Sequence, residues 1–261
     1  MQTAQTIIKN YRRKRAIVCV TVALLTLILT LGIRFISQRN VNQQRILDFT
    51  SHTVRALDNV LLSLENRRSV LQPLVGQPCP QAHLALRKQA AILQTVRSIA
   101  LINDGILYCS SIFGSRNVPV RDFLKELPAS TAKLILSSDQ WLLKGSPILI
   151  QWYPVSQDGE AGVIEIINID LIAKMILEPQ RPLINDVALT VGDRFLRYGQ
   201  RVSDSLTFDE EGSLFRQSST RNPFTITVSG PGPGELALKS LPAQLPLGLM
   251  LSLLLGYLAW L

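Results

Sequence analysis

Three cysteines, two histidines and a scatter of carboxylates are the residues of this 261-residue chain with types suited to chemistry. Cys19 lies inside an apolar run and reads as a small apolar residue there. Cys79 and Cys109 are the other two, and an even pair in an oxidising compartment reads as a disulfide. Closing that loop of about 30 residues would stabilise the fold by roughly 3–4 kcal/mol in the chain-entropy model. A Cys-x-x-Cys is absent, which argues against a thioredoxin-like redox site. His52 and His83 stand at no metal-ligand spacing from Cys or carboxylate partners, so solvated or capping roles are expected. Ser110 and Ser111 follow Cys109 without a surrounding Gly-x-Ser-x-Gly and read as the polar end of a strand. Gly230-Pro231-Gly232-Pro233-Gly234 lacks the Lys-Ser/Thr end of a phosphate loop, and its prolines remove backbone donors. Asp158, Glu160, Glu165 and Asp170 are spread along a hairpin and a helix start, where a solvated edge is the expectation. Nothing in this set assembles a catalytic or metal site. The residues point to a membrane-anchored sensor or interaction domain.

The charge distribution says which elements must carry these residues. The formal net charge is +8, a balance that usually raises nucleic acid as a partner. All of that excess lies in Lys9, Arg12, Arg13, Lys14, Arg15, Arg34, Arg39 and Arg45, before the first carboxylate at Asp48. Beyond Arg45 the basic and acidic residues balance at 19 each, so no basic face remains for nucleic acid. The cluster instead borders Ala16 to Ile33, eighteen residues without a charge. At about 1.5 Å per residue, such a helix nearly spans a hydrocarbon core of roughly 30 Å. The positive-inside rule keeps Arg12 to Arg15 cytoplasmic. The run exceeds a signal-peptide apolar region and no small-x-small site follows it, which favours a retained anchor. Leu245 to Leu261 is apolar to the last residue and reads as a second membrane helix. The expected organisation is a basic cytoplasmic tail (1–15), a transmembrane helix (16–36), an exported domain (37–243) and a second transmembrane helix (245–261). The chain is expected to stop in or just after that span, as a truncated product or a fragment.

Between the spans, Val41 to Leu71 reads as a long stalk helix. Its apolar stripe runs through Ile46, Phe49, Val54, Leu57, Leu61 and Leu64. Pro73 and Gly76-Gln77-Pro78-Cys79-Pro80 break it. A second helix is expected from Gln81 to about Val96. Asn103-Asp104-Gly105 between two apolar runs marks a β-hairpin that leads to Cys109. Ala129 to Ser137 is read as a short helix, Pro147–Pro154 and Gly162–Ile167 as strands, and Asp170 as the N-cap of a helix reaching Leu177. Strands are expected at Val187–Val191, Arg194–Tyr198, Ser213–Gln217 and Phe224–Val228. That order suggests an α+β sensor of PAS or Cache type, one antiparallel sheet with a long N-terminal stalk helix and helices on one face.

Tyr108-Cys109-Ser110-Ser111, the earlier Gln77-Pro78-Cys79-Pro80 and the two flanking spans together resemble a known arrangement. It is similar to the CSS-motif sensor domain of EAL-type cyclic-di-GMP phosphodiesterases, over nearly the whole chain. The resemblance implies an inner-membrane protein with its main domain in the periplasm. It implies that Cys109, of the motif Cys109-Ser110-Ser111, pairs with Cys79 through the disulfide-forming machinery. In that family the oxidised form restrains a cytoplasmic EAL domain. Loss of the bond permits a dimeric, active phosphodiesterase that is more open to periplasmic proteases. The expected partners are therefore the membrane, a second copy of the chain, that machinery and those proteases, with no nucleic acid. No cofactor is expected in this chain. Divalent metal such as Mg belongs to the EAL domain, whose carboxylates hold it for phosphodiester hydrolysis. The chain contains no Glu-Ala-Leu tripeptide, and Glu235-Leu236-Ala237-Leu238 is only a lookalike. A ligand-binding sensor with a purely structural disulfide is the alternative expectation.

Overall fold

The stalk stripe folds as its spacing predicts. In a computed structural model, which describes residues 2–139, 145–177, 184–205 and 213–260, α1 runs unbroken over Gln2–Glu65. Phe49, Val54, Leu57, Leu61 and Leu64 are all buried along one side of it. A single turn, α2 (Arg68–Leu71), and a 3₁₀ turn at Gln72–Leu74 then redirect the chain. Helix α3 (Cys79–Ile92) starts immediately after Pro78, with a second proline in its first turn where no backbone donor is needed.

The chain divides into two compact units, one spanning Asp48–Gly230 and the other combining the start of α1 with α5 (Pro233–Trp260). In the latter, α1 and α5 run antiparallel. Gly256 lies against Ala23 and the Cys19 carbonyl, Gly248 against Leu27, and Gly234 near Phe35. A Cβ placed on Gly256 would come 3.2 Å from that of Ala23, so glycine there lets the backbones approach closely. Both helices are long and apolar enough to cross a membrane. Helix α5 begins inside the Gly-Pro-Gly-Pro-Gly segment, with Pro233 as its first residue.

The Asp48–Gly230 unit holds two antiparallel sheets where one was expected. The first has the order β3 (Gly114–Pro119), β2 (Ile106–Ser110), β1 (Val96–Asn103), β6 (Gly162–Ile167), β5 (Pro147–Pro154), β4 (Lys133–Ser138). Helix α4 (Ile169–Leu177) follows it. The second sheet has the order β10 (Ser213–Ser218), β11 (Phe224–Gly230), β7 (Asp186–Val191), β8 (Arg194–Arg197), β9 (Val202–Ser203). The mixed helix and antiparallel-sheet class is as expected; the hydrophobic content simply fills two cores. One lies on the first sheet and includes Trp152, Ile102, Ile150 and Leu127. Strand β4 touches β7, β8 and β9 and so joins the two.

Two local expectations are corrected. Residues 129–137 are not a short helix: Lys133–Ser138 is β4, paired residue for residue with β5. Three consecutive apolar residues, Leu134-Ile135-Leu136, fit either period, and pairing with a buried strand decides the matter. The cap of α4 is Asn168, whose Oδ1 accepts from the Leu171 N–H at 3.3 Å, not Asp170.

Candidate functional site: a disulfide that straddles the sheet

The Asn103-Asp104-Gly105 hairpin forms as read, with φ of 53° at Asp104 and 69° at Gly105, the left-handed pair that a two-residue turn requires. It fixes the register of β1 on β2 up to a bulge. Leu101 pairs with Cys109 and Ile102 with Leu107, leaving Tyr108 as the extra residue. The β2–β3 ladder breaks at the same place, from Leu107↔Val118 to Cys109↔Ser115. Successive residues of a regular strand point to opposite faces, but a bulge suspends that alternation. Tyr108 and Cys109 therefore both reach the segment that enters α3. The Tyr108 hydroxyl accepts from the Gly76 N–H at 2.9 Å and donates to the Leu74 carbonyl at 3.2 Å. Burial raises its pKa. Cys109 is bonded to Cys79, the first residue of α3, with the Cα atoms 5.2 Å apart. Both cysteines are buried, Cys109 completely. The bond ties a helix N-terminus to β2, the second strand from one edge of the six-stranded sheet.

The alternation resumes after Cys109. Ser110 and Ser98 look into a cavity on the opposite face of the sheet. Ser111 continues the ladder in an unusual way: its N–H donates to the Ile99 carbonyl at 2.8 Å, while its hydroxyl accepts from the Ile99 N–H at 3.0 Å. The Ser98 hydroxyl lies 3.4 Å from both the Ser110 and Ser111 hydroxyls, and the Ser110 hydroxyl also accepts from the Ile112 N–H. The two serines thus do more than end a strand. They form a buried hydroxyl cluster that replaces backbone pairing at the edge of the cavity. Among the described residues these hydroxyls bond to one another and to backbone N–H groups, not to a His, Asp or Glu side chain.

The cavity has a volume of about 510 Å³. Its floor is apolar, with Ile148, Ile150, Ile164 and Ile166. At one end Arg97 donates to Asp139 at 2.9 Å, both nearly buried. The sequence reading missed this pair because its members stand 42 residues apart, Arg97 on β1 and Asp139 just past the end of β4. It also misplaced Glu165. That carboxylate is fully buried on the helix-facing side of the sheet rather than at a solvated edge. Burial, only partly offset by Arg67 and Arg68, pushes its pKa up to about 8. Arg68 stacks over the Tyr153 ring at 4.1 Å beside it. Tyr153 is raised as well, first by burial and then by the Glu165 charge. A run such as Val163-Ile164-Glu165-Ile166-Ile167 carried the signal: a lone charge inside five consecutive strand residues of a central strand. His52 is exposed, and among the described residues no three His, Cys, Asp or Glu side chains gather as a metal site.

A family model described as the CSS motif domain associated with EAL matches residues 42–240. The chain belongs to the CSS-motif family. Across all 261 residues it is 59% identical to the probable cyclic di-GMP phosphodiesterase PdeD of Escherichia coli (strain K12), covering 100% of this chain and 49% of PdeD. It is 22% identical over 188 residues to the probable cyclic di-GMP phosphodiesterase PdeN of the same strain, covering 72% of this chain and 36% of PdeN. The chain thus spans about half the length of PdeD and about a third of PdeN. Among solved structures, a domain of a sensory box/GGDEF family protein from Vibrio parahaemolyticus superposes with a TM-score of 0.55, at 12% identity, over 76% of this chain and 99% of that one. The sensory domain of the Campylobacter jejuni chemoreceptor Tlp3, with isoleucine bound, superposes at 0.51, with 9% identity, over 78% and 98%. These likenesses establish the sensory-domain fold that carries the CSS motif.

Proposed function

We propose that this CSS-motif chain is the sensory input part of a membrane-bound cyclic-di-GMP phosphodiesterase, and that Cys79–Cys109 is its redox-sensitive element. The observation that carries the reading is the position of the bond. It links the start of α3 to the bulged strand β2, in a chain 59% identical to PdeD. Breaking it frees α3, which packs on β1, β2 and β3, while the motif serines hold the other face. In this reading α1 and α5 cross the inner membrane, Arg12 to Arg15 stay cytoplasmic, and the sheets lie in the periplasm. That compartment supplies the disulfide-forming machinery, and its proteases attack the loosened form. The chain works as a homodimer. Hydrolysis is the work of an EAL half of the kind the relatives' names imply, whose carboxylates hold divalent metal such as Mg. No residue of this chain is assigned to that step.

The test joins this chain to such a half in its membrane. Cyclic-di-GMP hydrolysis should rise severalfold in Cys79→Ser and Cys109→Ser alike, and the unsubstituted protein should match them after reduction. Unchanged hydrolysis in both variants, with only a lower melting temperature, would reject the redox role. A second reading, a ligand-binding sensor with a structural disulfide, has its own support in the cavity behind Ser110. A cleft of a few hundred cubic ångströms with an apolar floor and few polar groups is the usual form of a small-molecule site.

A further inference from the structure

We infer that the cavity on the strand side of the CSS motif binds a small organic carboxylate with an apolar body, and that its occupancy is coupled to the Cys79–Cys109 bond. The inference rests on both readings, taking the cavity from the second and the redox response of the bond from the first, and names the ligand class.

Size comes first. About 510 Å³ suits a molecule of modest size, well below the upper range of drug-sized pockets. Shape and polarity follow. The isoleucine floor and the rings of Phe113 and Phe123 make most of the lining apolar. A few charged groups interrupt it. Among the described residues the charged side chains lining the cavity are Arg97, Arg116 and Asp139, a balance of one positive charge. Arg97 engages Asp139 with one nitrogen, and a guanidinium has five N–H groups in a planar fork. Arg116 lies over the Phe113 ring, 4.8 Å from its centroid, so aromatic ring and cation together bound one wall. A carboxylate answers both requirements: it neutralises the excess charge and accepts paired N–H groups from arginine. A neutral amide of the same shape meets the apolar lining but leaves the excess positive charge uncompensated.

The coupling comes from a single dipeptide. Cys109 faces α3 and holds the disulfide, and Ser110, the next residue, lines the cavity on the opposite face. Ser98 lines it too and touches Ser110 and Ser111. A shift of β2 that follows opening of the bond therefore moves a wall of the cavity. By reciprocity, a ligand that prefers one arrangement of that wall shifts the thiol–disulfide balance by the same factor.

The experiment is calorimetric titration of the whole chain in lipid nanodiscs. The probes are 3-phenylpropionate and hexanoate, each against its primary amide, with the cysteines oxidised and then reduced. The expected result is one-to-one binding of at least one carboxylate, at least tenfold tighter than its amide, with affinities in the two redox states differing by threefold or more. Arg97→Gln should abolish the preference for carboxylate over amide. Arg116→Gln, at an exposed position on β3, should weaken carboxylate binding about fivefold even where Arg97→Gln melts too early to be read. Equal binding of acid and amide overturns the carboxylate class but leaves a ligand site. No saturable binding of any of the four overturns the site. Equal carboxylate affinity in both redox states overturns the coupling.

Discussion

The two sheets of the Asp48–Gly230 unit share an antiparallel plan and the same stalk helix, yet they bury different things. The six-stranded sheet encloses a carboxylate, an ion pair, a hydroxyl cluster, a disulfide and a large cavity. The five-stranded sheet borders a cavity of about 50 Å³ whose lining is mostly aliphatic, Leu57, Ile172, Leu189 and Ile226 beside Thr53 and Tyr198. Among the described residues its buried polar side chains are Thr227 and Ser229 on β11, which carry no charge. Asp186 pairs with Arg197. Asp58 of α1 accepts from the Ser219 hydroxyl at 2.7 Å and the Asn222 amide at 2.8 Å, at the turn between β10 and β11. Buried polar groups raise the energetic stakes of any rearrangement, whereas an aliphatic core tolerates small shifts. On the proposed function, a change of bond or charge is felt first in the six-stranded sheet, while the five-stranded sheet holds the stalk helix through Asp58.

That division can be broken at its largest element first. Cys79→Ser with Cys109→Ser should lower stability by about 3–4 kcal/mol in the chain-entropy model. The melting transition should fall by roughly 8–14 °C for a domain of this size. Differential hydrogen exchange should place the loosening in α3, β2 and β3, with β7 and β11 unchanged. Equal loosening of both sheets would erase the distinction.

Glu165 comes next. Unfolded, its carboxyl titrates near the ordinary value of about 4.3; folded, near 8. Between those values the folded state holds a proton that the unfolded chain has lost, so this group's contribution to stability falls as pH rises and levels off above about 8. Arg67 and Arg68, from the start of α2, and Tyr153, beside it on β5, are the groups that face it. Glu165→Gln should therefore raise the melting temperature at pH 8.5 by roughly 3–6 °C. It should change little at pH 4.5 and flatten the profile between. A smaller melting temperature for the variant at pH 8.5 would show that the arginines compensate the charge fully.

The smallest expected effect lies on the second sheet. Asp58→Ala removes an acceptor of hydrogen bonds from Ser219 and Asn222 and should cost about 1–2 kcal/mol. Hydrogen exchange should quicken in α1 near residue 58 and in the β10–β11 turn, with no change in the reduction rate of Cys79–Cys109. A faster reduction would mean that the stalk contact governs the first sheet too.

Much of this plan is legible in the sequence, and the exceptions have physical causes. The stalk stripe, the Asn103-Asp104-Gly105 hairpin and the four late strands declare themselves through local period and turn chemistry. Cys79 and Cys109 stand out by number alone. The bulge at Tyr108 does not, because the extra residue is defined by partner strands rather than by its own neighbours. Arg97 and Asp139 meet only after the sheet order β1-β6-β5-β4 is set and β4 has been recognised as a strand. Asn168 and Asp170 are equally good caps by type, and which one is used depends on where β6 releases the chain. Two sheets rather than one follow from α4, which separates the first six strands from the last five.

The account depends most on the bond between Cys79 and Cys109 in the protein as it is made. Membranes from cells producing this chain, quenched in acid, denatured and treated with a maleimide before any reductant, decide the point by mass. The account predicts one labelled cysteine, Cys19, before reduction and all three after it. Three labelled cysteines before reduction would contradict it.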